Sequence, residues 1–385
     1  MPTTSSAIIG IDASRAVSAA PTGTEAYSAH LIRALAPRLA STHTLRLYCR
    51  ETPPFALDTR GSGPQSAGSE AAVETRVIPF PRLWTHLRLS WEMVRHPPDL
   101  LFVPAHVLPV VRPRRTLVTV HDLGFRRFPE AHPTSQRQYL EMSTRWNARV
   151  ATHILADSEA TRDAIIEAYD VPAQKLTVVY PGYEPDLKPV RDHDELERVR
   201  RRYNIPGDYV LFVGRIQPRK NLTRLIEAFS RVLADHPNLM LVLAGPAGWL
   251  ANPIQARATA LGVENKVIFP GYVAPEDKAA LISGARLFAY PSLYEGFGFP
   301  VLEAQACGTP LLTSTTSSLP EVAGKGGLLV DPLNVEAIAD GLRRLLNNEA
   351  LSAQLVARGF ENLARFSWDV AARQVQAVIT DLLRR

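Results

Sequence analysis

Cysteine is almost missing from this chain of 385 residues; only Cys49 and Cys307 are present. Two thiols so far apart suit neither a disulfide framework nor a cysteine-based metal site, and they fit a reducing cytoplasm. Long apolar runs are absent too. No stretch reaches the roughly 20 residues that cross a bilayer. The opening MPTTSSAIIGIDASR carries only the short run Ile8 to Ile11, too brief for a signal-peptide core and preceded by no basic segment. There is no internal repeat of 20 to 50 residues. The only Asp-x-Asp triplet, Asp192-His193-Asp194, sits in a charged stretch rather than at a strand end. That placement disfavours a metal-binding carboxylate pair, and no metal or cofactor is expected.

Lysine is missing from Phe80 to Val150, where eleven Arg face five acids, Glu92, Asp99, Asp122, Glu130 and Glu141. The net charge of that stretch is therefore +6, against +5 for the whole chain. Such a face suits a phosphorylated acceptor, anionic lipid or nucleic acid, while its ordinary reading is a solvated surface. Within it, Arg82 to Trp91 places apolar residues at helical spacing with Arg between them. That pattern fits an amphipathic core helix, or one that meets an interface or an acceptor.

The length predicts two domains, and an apolar fraction of 46% fits a globular chain. Ala7–Ile11 reads as a buried strand. The turn Pro21-Thr22-Gly23-Thr24 follows, and then a helical pattern from Glu25 to Leu39. Further strands are expected at Leu45–Cys49, Leu100–Val103, Leu117–Val120, Ile154–Ala156 and Lys175–Val179. Thr134–Val150 reads as a helix, and Ser158 as the N-cap of another that runs to Tyr169. Thr52 to Ala72 is rich in Gly, Ser and Pro and reads as a loop. The charged stretch Glu184 to Asp208 carries the linker at its start. A second series then begins, with strands at Tyr209–Val213, Leu239–Ala244, Val267–Phe269, Leu287–Ala289 and Pro310–Thr313, and a helix at Asn221–Ala234. Two successive strand–helix series predict an α/β chain of two doubly wound, Rossmann-like domains facing each other across a cleft. The expected division is residues 1–185 with a final helix 368–385, and residues 186–367.

Candidate chemistry gathers in the second series. Glu295 and Glu303 flank Gly296-Phe297-Gly298-Phe299, after a strand and before a helix. Glycines allow backbone N–H groups close to a ligand, and a helix start offers unpaired N–H groups suited to phosphate. The plain alternative is a tight turn with two solvated carboxylates. Upstream, Val213-Gly214-Arg215-Ile216-Gln217-Pro218-Arg219-Lys220-Asn221 leaves a strand and opens a helix. These cations suit a diphosphate; the plain alternative is a helix start with exposed basic residues, which is weakened because cations there oppose the dipole. In the first series His121 ends the strand Leu117–Val120. A lone histidine there is ordinarily a core or loop residue.

Taken in order, TGTEAY, TVHDLGFRRFPE, ADSEATRDAI, KLTVVYPGYEP, YVLFVGRIQPRKNL, KVIFPGYV, LFAYPSLYEGFGFPVLEAQACGTP and the closing FSW resemble glycosyltransferase family 4, along nearly the whole chain. The resemblance implies a GT-B fold whose last helix crosses back to the N-terminal domain. It also implies retaining, metal-independent hexosyl transfer from a nucleotide sugar. Glu295 would hold donor-sugar hydroxyls and Glu303 the ribose. Arg215 and Lys220 would meet the diphosphate, and His121 the reacting sugar. Gly23, Gly214 and the backbone of Gly296, Phe297, Gly298 and Phe299 would line the donor, with Gly271 and Tyr272 at the base and Val301 and Leu302 in the following helix. Thr22-Gly23-Thr24-Glu25 has one glycine fewer than the family's GGxxE. It resembles a mannosyltransferase-like subgroup that builds bacterial polysaccharides, commonly from GDP-mannose. UDP-sugars stay open as donors, as does a non-catalytic nucleotide-sugar-binding role. The acceptor would be a saccharide or lipid-linked. Nucleic acid is not expected, and the location would be cytoplasmic or peripheral at the inner face of the membrane.

Overall fold

The computed structural model describes residues 6–17, 23–52, 73–80, 83–105, 107–248 and 252–385. The chain forms two compact units. The first holds residues up to Leu123, then Gln138–Gly182 and Phe366–Arg385; the second holds Gly124–Arg137 and Tyr183–Arg365. The chain passes from the first unit to the second at Gly182/Tyr183. The segment Gly124–Arg137 belongs to the second unit, where the Phe128 ring lies 6.4 Å from that of Tyr294.

The first unit is built on strands β1 (Ile8–Asp12), β2 (Thr44–Cys49), β3 (Val73–Val77), β4 (Leu100–Val103), β5 (Arg115–Val120), β6 (His153–Ala156) and β7 (Leu176–Val178). They form one sheet in the order β3-β2-β1-β4-β5-β6-β7, every pairing parallel. Parallel strands covered on both faces need apolar side chains on both, so Leu100–Val103 is apolar and buried throughout. Chain order reverses between β1 and β4, which makes that pair the switch point of the sheet. Ser158 caps the helix Glu159–Tyr169 by accepting from the Thr161 N–H at 3.0 Å. The segment Thr52–Ala72 lies outside the described residues from position 53 on.

The last helix, Trp368–Arg384, belongs to this first unit. Its buried side chains, Trp368, Ala371, Ala372, Val375, Ile379 and Leu382, recur at spacings of one to four and form one face. The Trp368 ring stacks on His30 at 5.2 Å and meets Tyr27 edge-on at 5.7 Å. Gly182 must stay a glycine, because a Cβ there would lie 2.4 Å from the Trp368 backbone nitrogen.

The second unit carries β8 (Tyr209–Val213), β9 (Met240–Ala244), β10 (Val267–Gly271), β11 (Leu287–Tyr290), β12 (Leu311–Ser314) and β13 (Leu328–Val330). Their order is β10-β9-β8-β11-β12-β13, again all parallel, with the switch point between β8 and β11. The charged stretch after the linker is a helix, His193–Arg202, which the sequence reading did not assign. Asp192 caps it by accepting from the N–H groups of Asp194 and Glu195. Asp192 of the Asp-x-Asp triplet is thus the N-cap of this helix.

Candidate functional site

The candidate residues of the second unit collect at the carboxyl ends of β8 and β11, the two strands at its switch point. Three glycines shape the strand ends beside them. Gly245, at φ 136°, would bring a Cβ within 2.1 Å of the Gly214 carbonyl oxygen. Its N–H donates to the Gly271 carbonyl at 2.7 Å, so the ends of β8, β9 and β10 lie side by side as bare backbone. Gly271 itself has φ 76° and open space around it, and the adjacent Tyr272 ring is exposed.

After β8 the chain makes a short 3₁₀ turn, Pro218–Lys220, before the helix Leu222–Val232. Pro218 suits the first position of that turn, where no N–H is needed. The turn is pinned by the Asn221 side chain, which donates to the Pro291 and Pro332 carbonyls at 3.0 and 2.6 Å. Lys220 is thereby carried inward and is only 7% exposed. Its Nζ lies 2.6 Å from Glu295 Oε1 and 2.6 Å from the Tyr290 hydroxyl. Arg219 joins it, donating to Glu295 Oε2 at 3.1 Å and to the Tyr294 carbonyl at 2.8 Å. Arg215 stays on the exposed side of the same segment, its stem close to Gly248. Lys220 and Arg219 thus both contact Glu295, while Arg215 lies on the exposed side of the segment.

Glu295 is 6% exposed. Burial alone would raise its pKa, but Arg219 and Lys220 outweigh burial and hold it below the usual carboxylate range. Tyr290 is pushed well up, by burial first and then by the Glu295 charge. The cluster therefore holds an ionised carboxylate under two cations. The cations at this helix start have their anionic partner within the chain.

The loop after Glu295 is held from beneath by Ser318, whose hydroxyl donates to the carbonyls of Glu295 and Phe297 at 3.0 and 2.6 Å. Gly298 leads into the helix Phe299–Ala306 at φ 113°, and a Cβ there would meet Leu319 at 2.9 Å. No side chain caps this helix start, and Pro300 in its first turn has no N–H to satisfy. The helix begins at Phe299, which puts Glu303 one turn in. Lys278 donates to Glu303 Oε1 at 2.6 Å; burial would lower the Lys278 pKa, and Glu303 overrides this and raises it. Val301 and Leu302 are core residues with no exposed surface, and the Val301 N–H already donates to the Gly298 carbonyl at 3.0 Å. Their side chains belong to the core of the second unit.

In the first unit, Gly23 opens the helix Gly23–Ala40, with nothing within 4 Å of a Cβ built on it. His121 follows β5, at the sheet's carboxyl end. Its Nε2 is 3.0 Å from the Pro104 carbonyl, which can only accept, so Nε2 carries a proton. Its Nδ1 is 2.5 Å from Asp157 Oδ2. Burial would depress His121, yet the Asp157 charge overrides it and raises the imidazole pKa. Both ring nitrogens are thus engaged inside this unit, and the Tyr27 ring meets the imidazole edge-on at 4.7 Å. Asp157 was not singled out by the sequence reading. Its signal lay in the ADSEATRDAI stretch, directly before the helix-capping Ser158. Among the described residues, no group of three or more His, Cys, Asp or Glu side chains is placed to hold a metal ion.

Comparison with known proteins places this architecture. The chain matches the family models described as Glycosyltransferase Family 4, over residues 21–187, and Glycosyl transferases group 1, over residues 196–362. It is 32% identical over 295 residues to O-antigen chain mannosyltransferase B of Escherichia coli, a match covering 76% of this chain and 77% of that protein. Among solved structures, HepE of Anabaena in complex with UDP and glucose superposes with a TM-score of 0.71 at 21% identity, over 97% of this chain and 99% of that one. Sucrose-phosphate synthase from Thermosynechococcus elongatus gives a TM-score of 0.73 at 22% identity, over 98% and 99%. At such identities the structures speak for the fold alone, which is GT-B. With two parallel-sheet units, family models on both halves and a mannosyltransferase relative along three quarters of its length, the chain belongs to glycosyltransferase family 4 and is a glycosyltransferase.

Proposed function

We propose that the chain is a retaining, metal-independent hexosyltransferase that moves mannose from GDP-mannose to a saccharide or lipid-linked acceptor in cell-surface polysaccharide synthesis. The observation that carries the donor half is the group at the β8/β11 switch point: Lys220 and Arg219 over Glu295, beside a helix start without a side-chain cap. A nucleotide sugar presents what such a group recognises, two phosphates and a ring of hydroxyls. The sugar and base assignment is supported by the likeness to O-antigen chain mannosyltransferase B.

In this reading the diphosphate lies against the helix start at Phe299. Lys220 and Arg219 turn toward it, with Arg215 approaching from the exposed side, and they stabilise the charge that develops as the anomeric C–O bond breaks. Glu295 then holds sugar hydroxyls, Glu303 the ribose diol, and Gly271 with Tyr272 meets the base. The acceptor hydroxyl attacks the anomeric carbon on the face the diphosphate leaves. Its proton passes to the leaving phosphate, so the products are a glycoside of retained configuration and a nucleoside diphosphate. His121, held by Asp157, serves the sugar through its carbonyl or the exposed edge of its ring. Positive charge at the diphosphate comes from side chains, which is why no metal is invoked.

UDP-sugar transfer is the second reading, favoured by the fold shared with HepE in complex with UDP and glucose. The test supplies GDP-mannose, UDP-glucose and ADP-glucose in turn with a mannose-bearing acceptor, follows nucleoside diphosphate release, and reads the product anomer by NMR. Release from GDP-mannose with retained configuration is expected. Inverted product removes the front-face mechanism, and release from UDP-glucose alone moves the assignment to the second reading.

A further inference from the structure

In the second unit the helix Pro275–Ser283 is tied down at both ends. Near its start Asp277 is fully buried, 2.9 Å from Arg198 and 2.8 Å from Arg202 of the helix His193–Arg202. The Tyr203 hydroxyl donates to the same carboxylate at 2.8 Å and accepts from the Ala274 N–H at 3.1 Å. At the other end the Thr309 hydroxyl donates to the Ile282 carbonyl at 2.7 Å, and the Ser283 hydroxyl donates to the Cys307 carbonyl at 3.3 Å. Cys307 and Thr309 lie just past the helix Phe299–Ala306, so the two helices are joined there.

Between these ties a single pair of charges meets. From Val301 to Ala306 every side chain except Glu303 is buried. The Glu303 side chain is 12% exposed and that of Lys278 is 26% exposed. Among the described residues Lys278 is the one hydrogen-bond donor to this carboxylate, at 2.6 Å on Oε1, and Oε2 accepts from none. A carboxylate can accept from about four directions, so most of this one is unused. Stability does not explain the pair. Charges this far from water offset much of their attraction by lost hydration, and an apolar pair of similar volume would hold the helices as well. The contacts at either end already do so.

We propose that Lys278 is a positioning residue for the donor: it holds the Glu303 carboxylate by Oε1 and leaves Oε2 to accept from the ribose diol. This rests on the donor reading above, in which Glu303 meets the ribose. A glutamate side chain has several rotamers, and one that is already held has no ordering cost when the ligand arrives. The backbone of Lys278 is itself fixed, because the neighbouring Asp277 is locked to Arg198, Arg202 and Tyr203. The role is selective. A nucleotide with both ribose hydroxyls gains from a carboxylate held in place, and one that lacks the 2′-hydroxyl gains less. A lysine that merely braced two helices, or met the diphosphate, would serve both nucleotides alike.

The test is calorimetric titration of the full chain with GDP and 2′-deoxy-GDP, and with the corresponding UDP pair. The wild type should bind the ribonucleotide roughly 10-fold more tightly than its 2′-deoxy form, the scale of one hydrogen bond to a charged group. Glu303→Gln should bring the two within ~2-fold of each other. Lys278→Met should lose most of the same preference while its affinity for the 2′-deoxy form stays near that of the wild type. Lys278→Arg, which keeps a charged donor, should retain the preference. Lys278→Gln should repeat the loss and serves in place of the methionine variant if that one does not fold. Equal weakening of both nucleotides in Lys278→Met would overturn the proposal. So would a preference kept in Lys278→Met but lost in Glu303→Gln. No ribose preference in the wild type, with either base, would remove Glu303 from the ribose; that failure is one of the donor reading, and the positioning role falls with it.

Discussion

Replacing Glu295 by alanine should loosen the second unit more than replacing Lys220 does. Glu295 accepts from three donors, Lys220 at 2.6 Å, Arg219 at 3.1 Å and the Tyr290 hydroxyl at 3.1 Å. Its removal leaves two cations with little water in reach. Breaking a buried ion pair from one side costs about 3 to 5 kcal/mol. The lower end applies here, since Lys220 keeps the Tyr290 hydroxyl and Arg219 keeps the Tyr294 carbonyl. Lys220→Ala leaves Glu295 with Arg219 and Tyr290 still bound, so about 2 kcal/mol is expected, the scale of one charged hydrogen bond. Neighbours of this kind are not additive, and the double variant should recover about 1 to 2 kcal/mol of the sum. Hydrogen exchange resolves the effect by segment. Amides in β11 and the helix Phe299–Ala306 should exchange roughly 100-fold faster in Glu295→Ala, with the first unit unchanged. Wild-type protection in those segments would refute the cluster as a source of stability. The pH dependence has a definite sign. The folded pKa of Glu295 is depressed, so its contribution is present above the ordinary carboxylate pKa and is lost as pH falls through the lower, folded value.

Other outcomes follow from single contacts. Gly245→Ala would force a Cβ to 2.1 Å from the Gly214 carbonyl oxygen at φ 136°, and should destabilise by about 2 kcal/mol or more in thermal melts. Asp157→Asn should shift the imidazole titration of His121, followed by NMR, to lower pH, because the Asp157 charge is what raises it against burial. The stabilisation His121 draws from that pairing is complete below its unfolded pKa and is lost as pH rises through the raised folded value. Cys307 is buried, and burial pushes its thiol up to about 12, so neither it nor the buried Cys49 should react with a thiol reagent at neutral pH until the chain is unfolded.

Much of the fold was legible because buried parallel strands are apolar on both faces. Leu100–Val103 and Tyr209–Val213 stand out in the sequence and have those bounds in the structure. The strands that escaped lack this mark. Val73–Val77 contains Glu, Thr and Arg on the sheet's edge, and Leu328–Val330 is only three residues long. The site was legible as glycine turns and charges at strand ends, but its pairing was not. Lys220 and Glu295 are separated by 75 positions, and which cation turns inward depends on a single 3₁₀ turn after Pro218. That Arg219 joins Lys220 on Glu295 was therefore not readable from the stretch itself. Asp157 was obscured for a different reason: the cap signal of Ser158 accounts for its neighbourhood without it, and its partner His121 is 36 positions away.

Donor binding at the switch point of the second unit is the claim on which the rest depends. Thermal denaturation of the wild type and Lys220→Ala in the presence of GDP-mannose measures it most directly. At 100 times its dissociation constant the ligand should stabilise the wild type by about 2.7 kcal/mol, and the same concentration should leave the variant nearly unshifted. An equal shift in both proteins, or no shift with GDP-, UDP- or ADP-sugars, would contradict the account.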